Sequence, residues 1–329
     1  MSLRIIGERK ATPDEWDTIY ADCDYATYFH SREWAEIWQK YTQGDLQPDS
    51  KIISFSDGTS VLLPFSSKGV LKGVFKQYYS SPAGTFGGWL SLNDLSKRHG
   101  ALLHEYILAH YKNLSWRINP YNSVEAAISV KGAKSDETDV LNLGSGFETV
   151  FKKWTKGHIS AARKARKVGV DVREAKTLQD WKVYYKIYEE SLARWGESAS
   201  SRYDWLLFQH MHDLSSPNIK LWLATHENTI VAGAICFYAK QHVTYWHGSV
   251  LSAFFKLRPV NLLMYEAIKN SCDHGYQWFD FNPSGGHEGA KAFKKSFRGQ
   301  ELLCPVLNRK SIPVKLVQRL KRSSKNIAL

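Results

Sequence analysis

Residues 278–283 read Trp-Phe-Asp-Phe-Asn-Pro, and residues 116–120 read Trp-Arg-Ile-Asn-Pro. Each is a short β-patterned run that follows a helix-patterned stretch of similar length and stops at a proline, which cannot donate to a ladder. Outward from the second run, the sequence predicts a helix over Phe147–Lys167 and a strand at Val170–Arg173. Thr177, with Asp180 three residues on, predicts a capped helix to Arg194 that Gly196 stops. A helix over Tyr203–Leu214 precedes strands at Ile219–Thr225, Ile230–Tyr238 and His242–Gly248. Pro259 suits the first turn of a helix ending at Gly275. Gln277–Phe281 is a strand, His287–Phe297 a helix and Glu301–Leu307 a closing strand. The first half repeats much of this order. A helix at Ser31–Lys40 leads to strands at Lys51–Phe55, Ser60–Phe65 and Gly73–Ser80. A helix capped by Asn93 or Asp94 then runs to Tyr111, and a strand follows at Ser115–Asn119. Order and spacing predict a duplicated α/β (α+β) unit, with domains over 1–146 and 147–308 and a basic helix or tail over 309–329.

Composition narrows the class. The chain has 329 residues, 43% hydrophobic and 23% charged, which excludes bulk disorder and suits two domains. The longest clean apolar run, Val231–Ala239, is far shorter than the ~20 residues of a membrane helix. Cys23, Cys236, Cys272 and Cys304 are dispersed, so no metal site and a reducing, cytoplasmic setting are expected. GxGxxG after a strand, GxxxxGK[ST], GxSxG and HExxH are all absent, which argues against dinucleotide sites, P-loops, serine-hydrolase elbows and zincins. Residues 1–150 hold 15 Lys+Arg against 18 Asp+Glu, whereas residues 151–329 hold 29 against 14. The basic half is suited to polyanions: nucleic acid, phosphorylated cofactors or an anionic membrane surface.

Candidate chemistry clusters late in the chain. Tyr245-Trp246-His247-Gly248 ends a strand, where His247 has the pKa for proton transfer; a packed sheet histidine is the equal alternative. Asp280, set among aromatics, needs a partner when buried, and Lys294 or Arg258 are the candidates. It serves either as an ion pair fixing strand to helix or as a group that takes a proton from an amine. The glycine-rich bend Pro283-Ser-Gly-Gly-His287 enters a helix carrying Lys291, Phe293 and Lys294, the ingredients of an anion site. The run from Lys152 to Arg173 holds eight Lys/Arg, either a solvated face or a nucleic-acid face. Lys315, Arg319 and Arg322 line one side of a C-terminal helix that packs outward-charged or rests on anionic membrane.

These pieces, in this order, resemble the GNAT acyltransferase superfamily, and within it the Fem-type branch that builds peptidoglycan interpeptide bridges. The resemblance is carried by Arg163-Lys-Ala-Arg-Lys-Val-Gly169-Val170, Arg194-Trp-Gly196, Trp246-His247-Gly248, Pro259, Phe279-Asp280-Phe281, Gly285-Gly286 and Phe293-Lys294 with Gly299. In the first half, His30-Ser-Arg-Glu-Trp34 and Ser81-Pro82 through Gly87-Gly88 are also similar. It implies two tandem GNAT-like domains, each a mixed, mostly antiparallel sheet flanked by helices, with the donor side in the second. It implies transfer of an acyl or aminoacyl group from acyl-CoA or aminoacyl-tRNA to an amine, including that of a cell-wall precursor, without a tightly bound cofactor. Asp280 and His247 are then the catalytic candidates. Lys294, Arg258, Lys291 and Phe293 are those for the donor phosphate, and Tyr245, Trp246 and Arg194 those for substrate. Two departures stand out. Leu257-Arg258-Pro259-Val-Asn261 replaces the Gln/Arg-x-x-Gly-x-Gly/Ala loop of CoA-using relatives, and Asn282-Pro283 follows Phe281 where relatives often place glycine. The first, with the basic second half, favours aminoacyl-tRNA over CoA; the absence of a coiled-coil arm points the other way. RNA binding on a duplicated fold without turnover is the alternative.

Overall fold

The computed structural model describes residues 2–199 and 201–314. The expected C-terminal residues Lys315, Arg319 and Arg322 lie outside them. The described residues form two compact units, 2–136 with 303–314, and the rest of 137–302.

In the first unit, Ile5–Lys10, Lys51–Phe55 and Ser60–Leu63 form one antiparallel sheet. A second sheet runs in the order Val306–Arg309, Leu114–Arg117, Phe75–Tyr79, Ser66–Val70 and Gln47–Pro48. Phe75–Tyr79 and Leu114–Arg117 are parallel, but only Tyr78↔Leu114 and Tyr79↔Ser115 pair. Segment 80–87 then takes over. Gly87 N–H donates to Arg117 C=O at 3.1 Å, and Arg117 N–H donates to Ser80 Oγ at 3.1 Å. A Cβ on Gly87 would lie 2.0 Å from Ser80 Oγ, so only glycine lets this segment close the gap between the strands. Trp89, Trp116, Leu103, Phe55 and Phe65 fill the core, each buried side chain contributing ~1.5–3 kcal/mol.

The second unit is one seven-stranded sheet ordered Gln300–Leu303, Glu137–Asn142, Trp278–Asp280, His242–Val250, Thr229–Ala239, Ile219–His226 and Val170–Glu174. Its single parallel pairing among the registered strands joins His242–Val250 to Trp278–Asp280. Helix Leu178–Trp195 opens with the expected capping box, Thr177 with Asp180, and closes at Gly196; such a cap contributes ~1 kcal/mol. It packs on the two long central strands, while Pro259–Asp273 packs beside Lys156–Lys167.

Several expected spans divide differently. Phe147–Lys167 is two helices, Phe147–Lys153 and Lys156–Lys167, because Thr155 leaves helical geometry to cap the second. Glu301–Leu307 is two strands in different units, Gln300–Leu303 and Val306–Arg309, parted at Cys304-Pro305. Glu137–Asn142 pairs with Trp278–Asp280 and so belongs to the second unit. The units therefore part at Asp136/Glu137 and Leu302/Leu303, where boundaries at 146 and 308 were expected. Ser96 caps the helix Lys97–His110, leaving Asn93 Oδ1 to accept from Ser60 N–H at 3.0 Å.

Candidate active site

The His242–Val250 strand is nine residues long and its parallel neighbour only three. Pairing runs through His242↔Trp278, Val243↔Phe279 and Thr244↔Asp280. At Phe281 the chain turns its N–H to Asp139 C=O at 3.0 Å, following the strand on its other side. From Tyr245 onward the longer strand has no registered partner on that edge. The pairing with Thr229–Ala239 also jumps here, from Ile235↔His247 to Cys236↔Tyr245, so Trp246 is the extra residue of a bulge. A bulge re-aims side chains and frees backbone groups from the ladder. Gly248 is required by proximity: a Cβ there would sit 2.1 Å from the Tyr245 hydroxyl.

His247 is held at one nitrogen. Its Nδ1 lies 2.6 Å from the hydroxyl of Tyr184, a fully buried residue on Leu178–Trp195. Tyr188 and Phe208 approach the ring at 4.5 and 5.4 Å between centroids. No hydrogen bond among the described residues engages Nε2. Loss of water around the ring pulls its pKa down to about 3, so the imidazole is neutral at physiological pH and a weak base. Trp246 stacks on Tyr203, 5.3 Å between ring centroids at 26°.

Asp280 is fully buried. Its Oδ1 accepts from the Thr138 hydroxyl at 2.5 Å and from Asn282 N–H at 2.6 Å. Lys294, only 7% exposed, donates from Nζ to Asn282 C=O at 2.6 Å. Asp280 and Lys294 thus hold the same residue, Asn282, one at its N–H and the other at its C=O, where a direct pairing of the two was expected. Asn282 has φ +59°, a left-handed conformation that asparagine tolerates better than most residues. The turn is therefore made without a glycine at residue 282. Gly285 and Gly286, at φ +58° and +83°, continue the turn.

The remaining candidates sit apart from this pair. Lys291 is ion-paired with Glu137. Phe293 packs against His158 at 5.0 Å and Phe297 at 5.2 Å. Arg258, exposed and left-handed at φ +59°, opens the helix Pro259–Asp273. Burial first, and then the Arg258 charge, lower the pKa of His158, which reaches Asn261 Nδ2 at 3.3 Å. Arg194 clamps a loop: it lies 3.6 Å from Glu190 and 5.1 Å above the Phe255 ring. Glu190 in turn accepts from the N–H and hydroxyl of Ser252, both at 2.8 Å. Tyr184 and Thr138 were not singled out in the sequence, and Asn282 was noted only as a departure in the turn after Phe281. Only the left-handed preference of Asn before Pro283 offered a signal there.

The charge run resolves into a stripe. At about 100° per residue, Lys156, Arg163, Lys164 and Lys167 fall within an arc of ~100° on their helix. None has a carboxylate partner among the described residues. Arg166, turned off the arc, pairs with Glu266 and lies 4.8 Å above the Tyr265 ring. Among the described residues no group of side chains could hold a metal, and no helix is long and apolar enough to cross a membrane.

Residues 155–295 match the model of the Acetyltransferase (GNAT) domain. The second unit carries a GNAT domain. FemX is 14% identical with a TM-score of 0.67, over 92% of this chain and 98% of that one. A conserved protein of unknown function from Bacteroides thetaiotaomicron is 12% identical, with a TM-score of 0.61 over 93% and 100%. L-PGS from Bacillus licheniformis is 12% identical, with a TM-score of 0.56 over 94% and 96%. The chain thus has the two-domain GNAT-like fold. Comparison with curated proteins finds no match. Within the GNAT domain fall the bulged strand, the Asn282 turn and the basic stripe.

Proposed function

We propose that the GNAT domain transfers an activated acyl or aminoacyl group, from acyl-CoA or aminoacyl-tRNA, to an amine of a small molecule or cell-envelope precursor. The observation that carries this is the open edge of His242–Val250 beside the turn that Asp280 and Lys294 hold. In the first unit the equivalent gap is closed by segment 80–87, so the reaction belongs to the second.

Such a donor is already activated and a neutral amine is a competent nucleophile, so positioning is the main requirement. Backbone N–H groups on the edge of His242–Val250 past Thr244, where pairing with Trp278–Asp280 has stopped, meet the oxyanion of the tetrahedral intermediate. His247, too weakly basic to store a proton, offers its free Nε2 as a neutral hydrogen-bonding group to the acceptor. The bound ammonium loses a proton to water, eased by desolvation of the charged form. The amine nitrogen then bonds the acyl carbon, and collapse of the intermediate breaks the carbon–sulfur or carbon–oxygen bond to the donor, whose sulfur or oxygen leaves with the proton that the attacking nitrogen gives up. Asp280 fixes the left-handed turn; Lys294 and the Gly285-Gly286 bend meet the donor phosphate.

Thermal shift with acetyl-CoA, CoA and bulk tRNA at low and high salt tests the donor, because a ligand that binds only the folded state raises the midpoint. A saturable shift with CoA that survives salt identifies an acyl-CoA enzyme. A shift with tRNA alone directs the next assay to charged tRNA. No shift with any of the three opposes the proposal. The stripe Lys156, Arg163, Lys164 and Lys167 favours a second reading, RNA binding without turnover. Absence of transfer with every donor, alongside tight RNA binding, would select it.

A further inference from the structure

An open cavity of about 460 Å³ in the first unit is lined by residues that include Lys10, Asp45, Gln47, Asp49, Lys68 and Lys76. Asp49, 7% exposed, is its hub. Its Oδ1 accepts from Lys51 Nζ at 2.6 Å, and its Oδ2 accepts from the Ser67 hydroxyl at 2.9 Å and Lys76 Nζ at 3.1 Å. Lys68 stands 3.7 Å from Asp45. Lys10 has no carboxylate partner among the described residues. Three lysines, Lys10, Lys68 and Lys76, therefore line the cavity against two carboxylates, and Lys51 pairs with Asp49 from outside the lining, in the half of the sequence whose overall charge is negative.

We infer that this cavity binds a phosphorylated polyhydroxy compound of sugar-phosphate size. The excess positive charge calls for an anion, and the buried Asp49 holds two of the ammonium groups in place before one arrives. The lining cations are all lysines, point charges that surround a phosphate rather than grip a planar carboxylate through an arginine fork. Asp45, Asp49 and Gln47 supply acceptors for ligand hydroxyls. No aromatic ring lines the cavity, so a nucleobase would find no stacking surface. The volume exceeds that of a bare ion and falls within the ~300–1,000 Å³ of small-molecule sites. Lys76, its side chain 57% exposed, can turn to the ligand while Lys51 keeps Asp49 paired.

Calorimetric titration of the full chain with glucose 6-phosphate, glucose and inorganic phosphate tests this without reference to transfer. Saturable binding of glucose 6-phosphate is expected, tighter than inorganic phosphate, with none for glucose. Lys76→Gln and Lys10→Gln should each weaken it by about tenfold, while Lys97→Gln, exposed on another helix of the same unit, should leave it unchanged. Lys10→Gln breaks no hydrogen bond of the fold, so it stays informative if Lys76→Gln loosens Asp49. No binding overturns the inference, as does phosphate binding as tightly as glucose 6-phosphate or a loss that Lys97→Gln shares.

Discussion

Replacing Tyr184 by phenylalanine removes one oxygen, the partner of His247 Nδ1 at 2.6 Å. Tyr184 is fully buried, and Tyr188 and Phe208 pack against the imidazole, so the Nδ1 side loses its partner in a largely apolar setting. Leaving that nitrogen without its partner costs ~1–3 kcal/mol, with about 2 kcal/mol the central value. In a unit of this size each kcal/mol moves Tm by about 2–4 °C, giving a fall of ~4–8 °C. Burial, the cause of the low His247 pKa, is retained, so the ring stays neutral. The imidazole ¹⁵N signals should nevertheless shift as the tautomer loses its anchor. Gly233→Ala attacks the same contact from beneath, since its Cβ would lie 2.4 Å from Tyr184 Cδ2, and overpacking costs ~1–3 kcal/mol. Sharing one contact, the two substitutions should be less than additive. An unchanged Tm in Tyr184→Phe, with unmoved His247 resonances, would refute the Tyr184–His247 link.

Glu125 is fully buried, accepts from Trp116 Nε1 at 2.8 Å, and burial raises its pKa well above the usual carboxyl value. Its folded pKa exceeds the unfolded one, so stability falls as pH rises past about 4.5; Glu125→Gln should flatten that part of the Tm–pH curve. Burial likewise lowers His30 to about 4; the unfolded chain then binds the extra proton, and stability should drop as pH falls from about 6.5 toward 4. His30→Gln should reduce this acid-side slope in a Tm–pH series. Asp280→Ala strands the Thr138 hydroxyl and the Asn282 N–H and should cost about 3 kcal/mol by denaturant titration. Lys156→Glu with Lys164→Glu should weaken tRNA binding and make its logarithmic salt dependence shallower by ~1.5 or more, measured by anisotropy.

Much of the second unit was legible because its signals are local. The Thr177–Asp180 cap, Pro259 at a helix start and the period-two runs at 219–248 each act within one turn or strand. Failures occurred where a distant partner decides the outcome. Glu137–Asn142 is polar at its start and becomes a strand by pairing with Trp278–Asp280. The run 301–307 looked continuous, yet Cys304-Pro305 divides it between two sheets. Ser66–Val70, with little apolar pattern, is a strand because Phe75–Tyr79 is its neighbour. At the site, an ionic partner for Asp280 was expected from Lys294 or Arg258, whereas Asp280 and Lys294 each bond the backbone of Asn282, which no side-chain pattern announces. His247 was expected at a strand end, but the strand runs on to Val250, and its tether to Tyr184, 63 residues away, left no local signal.

Radiolabelled transfer shows whether the open strand edge of the GNAT domain moves an acyl group. Labelled acetyl-CoA and labelled aminoacyl-tRNA would each be offered with a panel of amines, comparing the unaltered chain with Lys294→Met and the remote Lys97→Gln. Transfer from one donor is predicted, retained in Lys97→Gln and lowered at least tenfold in Lys294→Met. Transfer that is absent with both donors, or that is indifferent to Lys294→Met, would contradict it.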